Sequence, residues 1–131
     1  MRKCIFILLV ILAVSYRLEA KKQEVVMPSG KEIYIPKDLQ GMDLQNPDSK
    51  WSYHRMAYTD NFVIFWEKGF GNDLSNPPQL EGHNMKVDLL NLTEKLESFY
   101  HFFRDTLKFS KPGSKCDKYR MMVMLNYSLE G

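Results

Sequence analysis

Residue types that could carry out catalysis are few in this sequence of 131 residues. Its three histidines are His54, His83 and His101. A hydrolytic zinc site takes three protein ligands and a water, yet no His-Glu-x-x-His motif occurs. His83 is a weak candidate for a metal ligand, because it lies in a predicted loop and loops carry binding residues more often than strands do. The sequence therefore predicts no catalytic residue and no complete metal site.

The other side chains capable of chemistry also lack partners in the sequence. Glu94 and Glu97 lie one turn apart on a predicted helix, and a solvated helix face explains such a pair without acid–base catalysis. No Gly-x-Ser-x-Gly segment, P-loop or dinucleotide fingerprint occurs. Cys116 is the single cysteine beyond residue 20, and one thiol cannot form an internal disulfide. We interpret it as incidental, as a thiol for pairing between molecules, or as the partner of a cysteine in further sequence.

Aromatic residues make up 13% of the sequence and suggest a binding function. An exposed aromatic ring offers an apolar face on which a sugar or a protein side chain can stack. Most of the aromatic residues fall on predicted core faces. Trp51, Tyr53 and Phe70 do not, and we predict them as candidates for an exposed glycan- or protein-binding surface.

The first 20 residues have the features of a secretory signal peptide. Arg2 and Lys3 precede an apolar run over residues 5–14, and Ala20 ends a region suited to cleavage. A membrane span needs about 20 apolar residues, and Arg17 interrupts this run. We therefore expect a protein of the periplasm, the cell surface or the medium, without a membrane partner after cleavage.

Removal of residues 1–20 brings the net charge from +2 to about zero, because 15 basic and 15 acidic residues remain. The remaining lysines and arginines are scattered along the chain. A nucleic-acid-binding protein needs a basic patch or stripe. We therefore expect no nucleic-acid partner.

Composition divides the rest of the chain near residue 51. Residues 21–50 are polar and are interrupted by proline and glycine, which is typical of an extended leader, with an optional edge strand at Glu32–Ile35. Residues 51–131 contain the long apolar segments and are predicted to form one domain.

Three strands and one helix are predicted within that domain. The strands are residues 53–58, 61–67 and 119–127, and the last two are apolar on both faces, as in interior strands. The helix spans Val87–Lys108 and begins near Asp88, which can cap it. Its apolar stripe consists of Leu89, Leu92, Leu96, Phe99, Tyr100, Phe103 and Leu107. If this stripe is buried, Phe99→Ala should cost about 3 to 5 kcal/mol.

The order of elements predicts an α+β fold, a small sheet of three to four strands packed by one long amphipathic helix. The class becomes α/β if the helix connects parallel strands. One helix covers one face of the sheet, so the face with Val63, Phe65, Met122 and Met124, or its opposite, requires another layer. Exposed apolar area costs about 25 cal/mol per Å², so we expect a partner protein or further chain to supply that layer.

Four segments of residues 49–131 are similar to one known family: "DNFVIFWEKGFG", "NPPQLEGHNMKVD", "LLNLTEKLESFYHFFRDTLKF" and "KYRMMVMLNYSLEG". They resemble the N-terminal part of an uncharacterised family of secreted Bacteroidetes proteins with a zincin-like metallopeptidase domain. The resemblance implies that a zinc-binding helix with an "HELGH"-type motif follows the last strand. Since that motif is missing from these 131 residues, the resemblance transfers no catalytic residue and implies zinc only in a longer form.

The sequence accordingly predicts the N-terminal fragment of a secreted zincin-like hydrolase, truncated at its C-terminal end and not catalytic by itself. Two alternatives remain open. One is a secreted non-enzymatic module that binds glycan or protein at an exposed sheet face. The other is an envelope protein that pairs through its last strand.

Overall fold

The described part of the chain, residues 24–130 of a computed structural model, contains a four-stranded mixed sheet. The predicted signal peptide, residues 1–20, lies outside it. The strands are β1 (Glu32–Ile33), β2 (Met56–Tyr58), β3 (Phe62–Trp66) and β4 (Tyr119–Leu125). Their order in the sheet is β1-β4-β3-β2, in which only the β2–β3 pair is antiparallel.

The helices are α1 (Lys37–Gln40), α2 (Leu89–His101) and α3 (Lys115–Lys118). A π-helical segment, Phe102–Thr106, continues α2. Two 3₁₀ turns, Tyr53–Arg55 and Lys68–Phe70, flank the central strands. These elements confirm the α+β class, and α2 lies between the parallel strands β3 and β4 as a crossover connection.

The long helix begins two residues later than predicted because Asp88 caps it. The Asp88 carboxylate accepts a hydrogen bond from the Asn91 amide at 3.0 Å, which satisfies one of the free N–H groups of the first turn. Leu92 and Leu96 then pack with Phe62 and Ile64 of β3. The first half of α2 therefore covers one face of the sheet.

The opposite face is covered by the segment that was predicted to be a leader. Leu39 and Leu44 are buried and pack with Trp51, Val63 and Phe65. The predicted boundary at residue 51 is therefore wrong. Prolines and glycines hide any periodicity in residues 21–50, but a few widely spaced apolar side chains are sufficient to cover a small sheet.

Of the predicted strand over residues 53–58, only the second half, Met56–Tyr58, forms a strand. The Ser52 hydroxyl accepts a hydrogen bond from the His54 amide at 3.2 Å and starts a 3₁₀ turn instead. Arg55 follows and is buried, and its guanidinium donates to the carbonyl oxygens of Pro47, Ser49 and Lys50. Burial lowers the pKa of this guanidinium. The turn thereby binds the covering segment to the start of β2.

Gly69, in the "FWEKGFG" segment, allows Tyr127 to pack closely on the turn after β3. A Cβ atom at this position would overlap Cδ1 and Cγ of the Tyr127 ring. Tyr127 in turn packs edge-on against Phe70, with ring centroids 5.1 Å apart. The end of the chain that follows β4 can therefore approach this turn only because residue 69 lacks a side chain.

Across residues 24–130, none of the helices combines the length and the apolar character needed to cross a membrane.

Candidate functional site

β4 pairs with different strands over its two parts, and most of its length is paired on one side only. Residues Met121–Leu125 pair with β3 in parallel register, whereas β1 reaches only Tyr119 and Arg120 on the other side. Within the part of the chain that the structure describes, the outer edge of residues 121–125 has no neighbouring strand. We call this stretch the open edge of β4.

The hydrogen bonds to β3 show which backbone groups lie on the open edge. The Met121 amide donates to the Asn61 carbonyl at 2.8 Å, and the Leu125 carbonyl accepts from the Glu67 amide at 3.1 Å. In a parallel ladder, both polar groups of one residue point to the same side, and successive residues alternate. The N–H and C=O groups of Met122 and Met124 therefore point away from β3. The open edge presents two donors and two acceptors.

Apolar side chains flank these backbone groups on both faces of the sheet. On one face Met122 and Met124 pack against the buried cluster that contains Leu39, Val63 and Phe65. On the other face Met121, Val123 and Leu125 pack at the edge of the α2 cluster. All five β4 side chains in this stretch are only partly buried.

An apolar groove lies beside the open edge on the α2 face. It consists of two adjoining cavities of about 270 and 350 Å³ that share Cys116 and Met121 as lining residues. The smaller cavity is bounded by Phe99, Phe103 and Phe109, and the larger one by Tyr34, Tyr119 and Lys115. The aromatic wall is continuous. The centroid of the Phe103 ring lies 4.1 Å from that of Phe99 and 5.2 Å from that of Phe109.

A polar network fixes the wall of this groove in place. The Tyr100 hydroxyl accepts from Lys31 and from Arg104, each at 3.0 Å. Lys31 also donates to the Cys116 carbonyl at 2.6 Å, and Arg104 forms an ion pair with Asp117. The Arg104 hydrogen bond holds the pKa of the Asp117 carboxyl below its usual range. These contacts join α2, α3 and the segment before β1, so we interpret them as structural.

Glu97 is likewise engaged in structure rather than poised for acid–base chemistry. Its carboxylate accepts from the Thr59 hydroxyl, the Asn61 amide at 2.9 Å and the Asn61 side-chain amide at 2.7 Å. Burial raises its pKa, but these hydrogen bonds outweigh that effect and leave the pKa lowered. Glu94 is exposed on α2. The pair therefore does not form a general acid and base.

The histidines do not form a zinc site. The His54 ring lies 3.1 Å from the Gln45 carbonyl, and the His101 ring 3.0 Å from the Asp105 carboxylate. His83 is exposed in a turn that it closes with Leu80. Over residues 24–130, no three His, Cys, Asp or Glu side chains form a group that could hold a metal ion. This donor set does not fit zinc, and no reaction step can be derived through it.

The predicted aromatic platforms are mostly inside the molecule. Trp51 and Phe70 are each 4% exposed, so the prediction of an exposed surface is wrong for both. Both pack in apolar clusters beside the sheet. Tyr53 is partly buried with its ring 5.9 Å from Phe65, and burial raises the pKa of its hydroxyl.

Sequence reasoning missed the aromatic wall of the groove because it assigned the α2 stripe to the core. Phe99 and Phe109 are 53% and 72% exposed. One signal in the sequence could have indicated that part of the aromatic band is exposed. Phe102 and Phe103 are adjacent and point about 100° apart on a helix, so the aromatic band is wider than one buried stripe.

The fold and the groove together define a small α+β domain with an open sheet edge. A family model described as "Family of unknown function (DUF6055)" matches residues 25–131, and the chain belongs to this family. The match begins before β1, and so it includes the segment that covers the second face of the sheet. Neither the curated proteins nor the solved structures contain a match.

Proposed function

We propose that this chain is a non-catalytic part of a secreted zincin-like protein and that it recognises an extended polypeptide strand at the open edge of β4. The observation that carries the proposal is the outward direction of the Met122 and Met124 backbone groups between two apolar faces. A peptide strand is the ligand whose own N–H and C=O groups match this row. Strand addition supplies affinity through the backbone and specificity through side-chain pockets.

An exposed sheet edge of this kind can pair with the strands of other chains and so promote aggregation. Natural proteins protect edges with charges, prolines or bulges to prevent unwanted pairing. The stretch 121–125 reads Met-Met-Val-Met-Leu and carries none of these. Its methionines suit an adaptable interface, because their unbranched side chains fill irregular gaps.

The zincin-like part of the proposal rests on the four segments that resemble that family. The sheet with a helical crossover between β3 and β4 is compatible with such a domain. Since the donor set of residues 24–130 does not fit zinc, we assign this part of the chain a scaffolding and binding role. Zinc, if used, belongs to residues outside it.

Amide hydrogen exchange of the secreted protein tests the open edge. We expect the Met122 and Met124 amides to exchange at least about 100-fold faster than the Val123 amide, which points toward β3. Val123 serves as the internal control, because it lies between Met122 and Met124 and all three residues are partly buried. Equal protection of all three amides in a monomer would overturn the strand-recognition proposal.

Two further measurements test the zincin-like assignment. We expect the 131-residue chain by itself to carry no stoichiometric zinc by elemental analysis and to leave casein intact, whereas bound zinc with proteolysis would contradict a non-catalytic role. The DNA after codon 131 should encode a His-Glu-x-x-His helix in frame. A downstream frame without this helix would overturn the assignment to a zincin-like protein.

A further inference from the structure

The groove beside the open edge and the charges around it define what kind of strand fits. This inference rests on the proposed strand recognition and goes on to name the chemistry of the partner. Residues of an added strand alternate between the two faces of the sheet. Those that share a face with Met121 and Val123 point along the groove, toward Phe99 and Phe103.

The groove selects a bulky apolar side chain. Its smaller cavity, about 270 Å³, is walled by aromatic rings and by Met121. The Tyr100 hydroxyl at its back is already used by Lys31 and Arg104. A phenylalanine or leucine side chain would fill this space, whereas a polar side chain would leave its hydrogen bonds unmatched.

The rim of the groove near α3 is basic. Lys115, which lines the larger cavity, and Lys111, the neighbour of the lining residue Ser110, are exposed. No carboxylate of residues 24–130 lies within 4.0 Å of either ammonium group. Asp117, the nearest acidic residue in sequence, is paired with Arg104. Lys118 lies over the Tyr119 ring and, among the carboxylates of residues 24–130, makes a long, exposed contact of 3.8 Å with Glu32. Acidic residues on the partner would therefore find unpaired cations at this end.

We propose that the open edge of β4 binds an extended segment of another protein, with a bulky apolar residue in the groove and acidic residues beside α3. Charge complementarity favours an acidic segment as the occupant, because a lysine-rich segment would bring like charges to the exposed Lys115 at the wall of the larger cavity. β1 limits the length of the added strand, since Tyr119 and Arg120 are already paired. The free stretch therefore pairs with about four or five residues.

A labelled synthetic peptide tests this proposal on the secreted protein. The probe alternates valine with one central phenylalanine and carries two glutamates at each end, so that either strand direction places acid beside α3. Fluorescence anisotropy should give saturable binding, about tenfold or more tighter than for the same peptide with lysines in place of the glutamates. A probe with methylated backbone nitrogens at alternate residues should not bind, because it cannot form the ladder.

Two substitutions separate the partner chemistry from strand recognition itself. Lys115→Glu should reverse the preference between the acidic and the basic peptide, whereas Lys95→Glu, a matched exposed lysine on α2, should not. If both peptides bind equally and Lys115→Glu changes nothing, while backbone methylation still prevents binding, the acidic-partner inference is overturned and strand recognition stands. If no peptide binds at about 1 mM and sedimentation shows a dimer, both proposals fail in favour of a second copy.

Discussion

β3 and β4 are both apolar on their two faces, yet they have very different surroundings. Every residue of β3 is at most 7% exposed. Residues 121–125 of β4 are paired with β3 residue by residue and all remain partly exposed. β3 has a strand on each side, whereas β4 has β3 on one side and two residues of β1 on the other. Apolar patterning therefore indicates which faces a strand can bury, and lateral neighbours decide how far they are buried.

The largest expected effect tests this comparison at one register position. Phe65 and Met124 are paired across the two strands and lie on the same face. Phe65→Ala should lower the free energy of unfolding by about 3 to 5 kcal/mol, because Phe65 is fully buried, and Met124→Ala should cost only about 1 to 2 kcal/mol. Urea denaturation measures both. Equal losses would mean that β4 is as well covered as β3, and the comparison would fail.

The segment before β2 provides a second test, because it covers β3 more completely than β4. Leu39→Ala should cost about 2 to 5 kcal/mol, since Leu39 is 4% exposed in the core cluster with Val63 and Phe65. Leu90→Ala on the outer side of α2, where Leu90 is 70% exposed, serves as the matched control and should change stability by less than about 0.5 kcal/mol. Thermal unfolding distinguishes them. A neutral Leu39→Ala would restore the leader interpretation.

The sequence was informative wherever periodicity determines structure. It predicted the α+β class, the central strand, the start of the long helix near Asp88 and the last strand to within two residues. It could not predict that Leu39 and Leu44 cover a sheet face, because that packing joins isolated residues far apart in sequence. Nor could it locate the open edge, because the number of lateral neighbours of β4 depends on the register of β1.

Glu97 of α2 holds the turn before β3 through hydrogen bonds from Thr59 and Asn61. The pH dependence of stability measures how much this anchoring contributes. Its folded-state pKa is lowered, so its contribution is present above the ordinary glutamate pKa of 4.5 and is lost as the pH falls through the lower folded value. Glu97→Gln should cost about 1 to 3 kcal/mol at pH 7, because it weakens the bonds from Thr59 and Asn61. The difference from the parent protein should shrink below about pH 4.5.

Glu94→Gln is the control for that titration, since Glu94 is exposed one turn away. Chemical denaturation at several pH values should find it neutral throughout. A pH-independent loss for Glu97→Gln would show that shape, rather than charge, holds the turn.

The smallest expected effect concerns two neighbours on α2 that repeat the contrast between the strands. Tyr100 is 6% exposed and packs on Phe62 of β3, whereas Phe99 is 53% exposed and faces the groove beside Met121 of β4. Phe99→Ala should therefore cost less than about 1 kcal/mol, well below the 3 to 5 kcal/mol expected of a buried stripe. Tyr100→Ala, the matched control, should reach that larger range.

A large loss for Phe99→Ala would mean that the groove is closed in solution. Closure by a second molecule would make the melting temperature depend on protein concentration, because association stabilises the folded state by mass action. Closure within one chain would leave the melting temperature independent of concentration. A small loss at all concentrations would show that Phe99 contributes little to the stability of the domain and is accessible to the proposed partner strand.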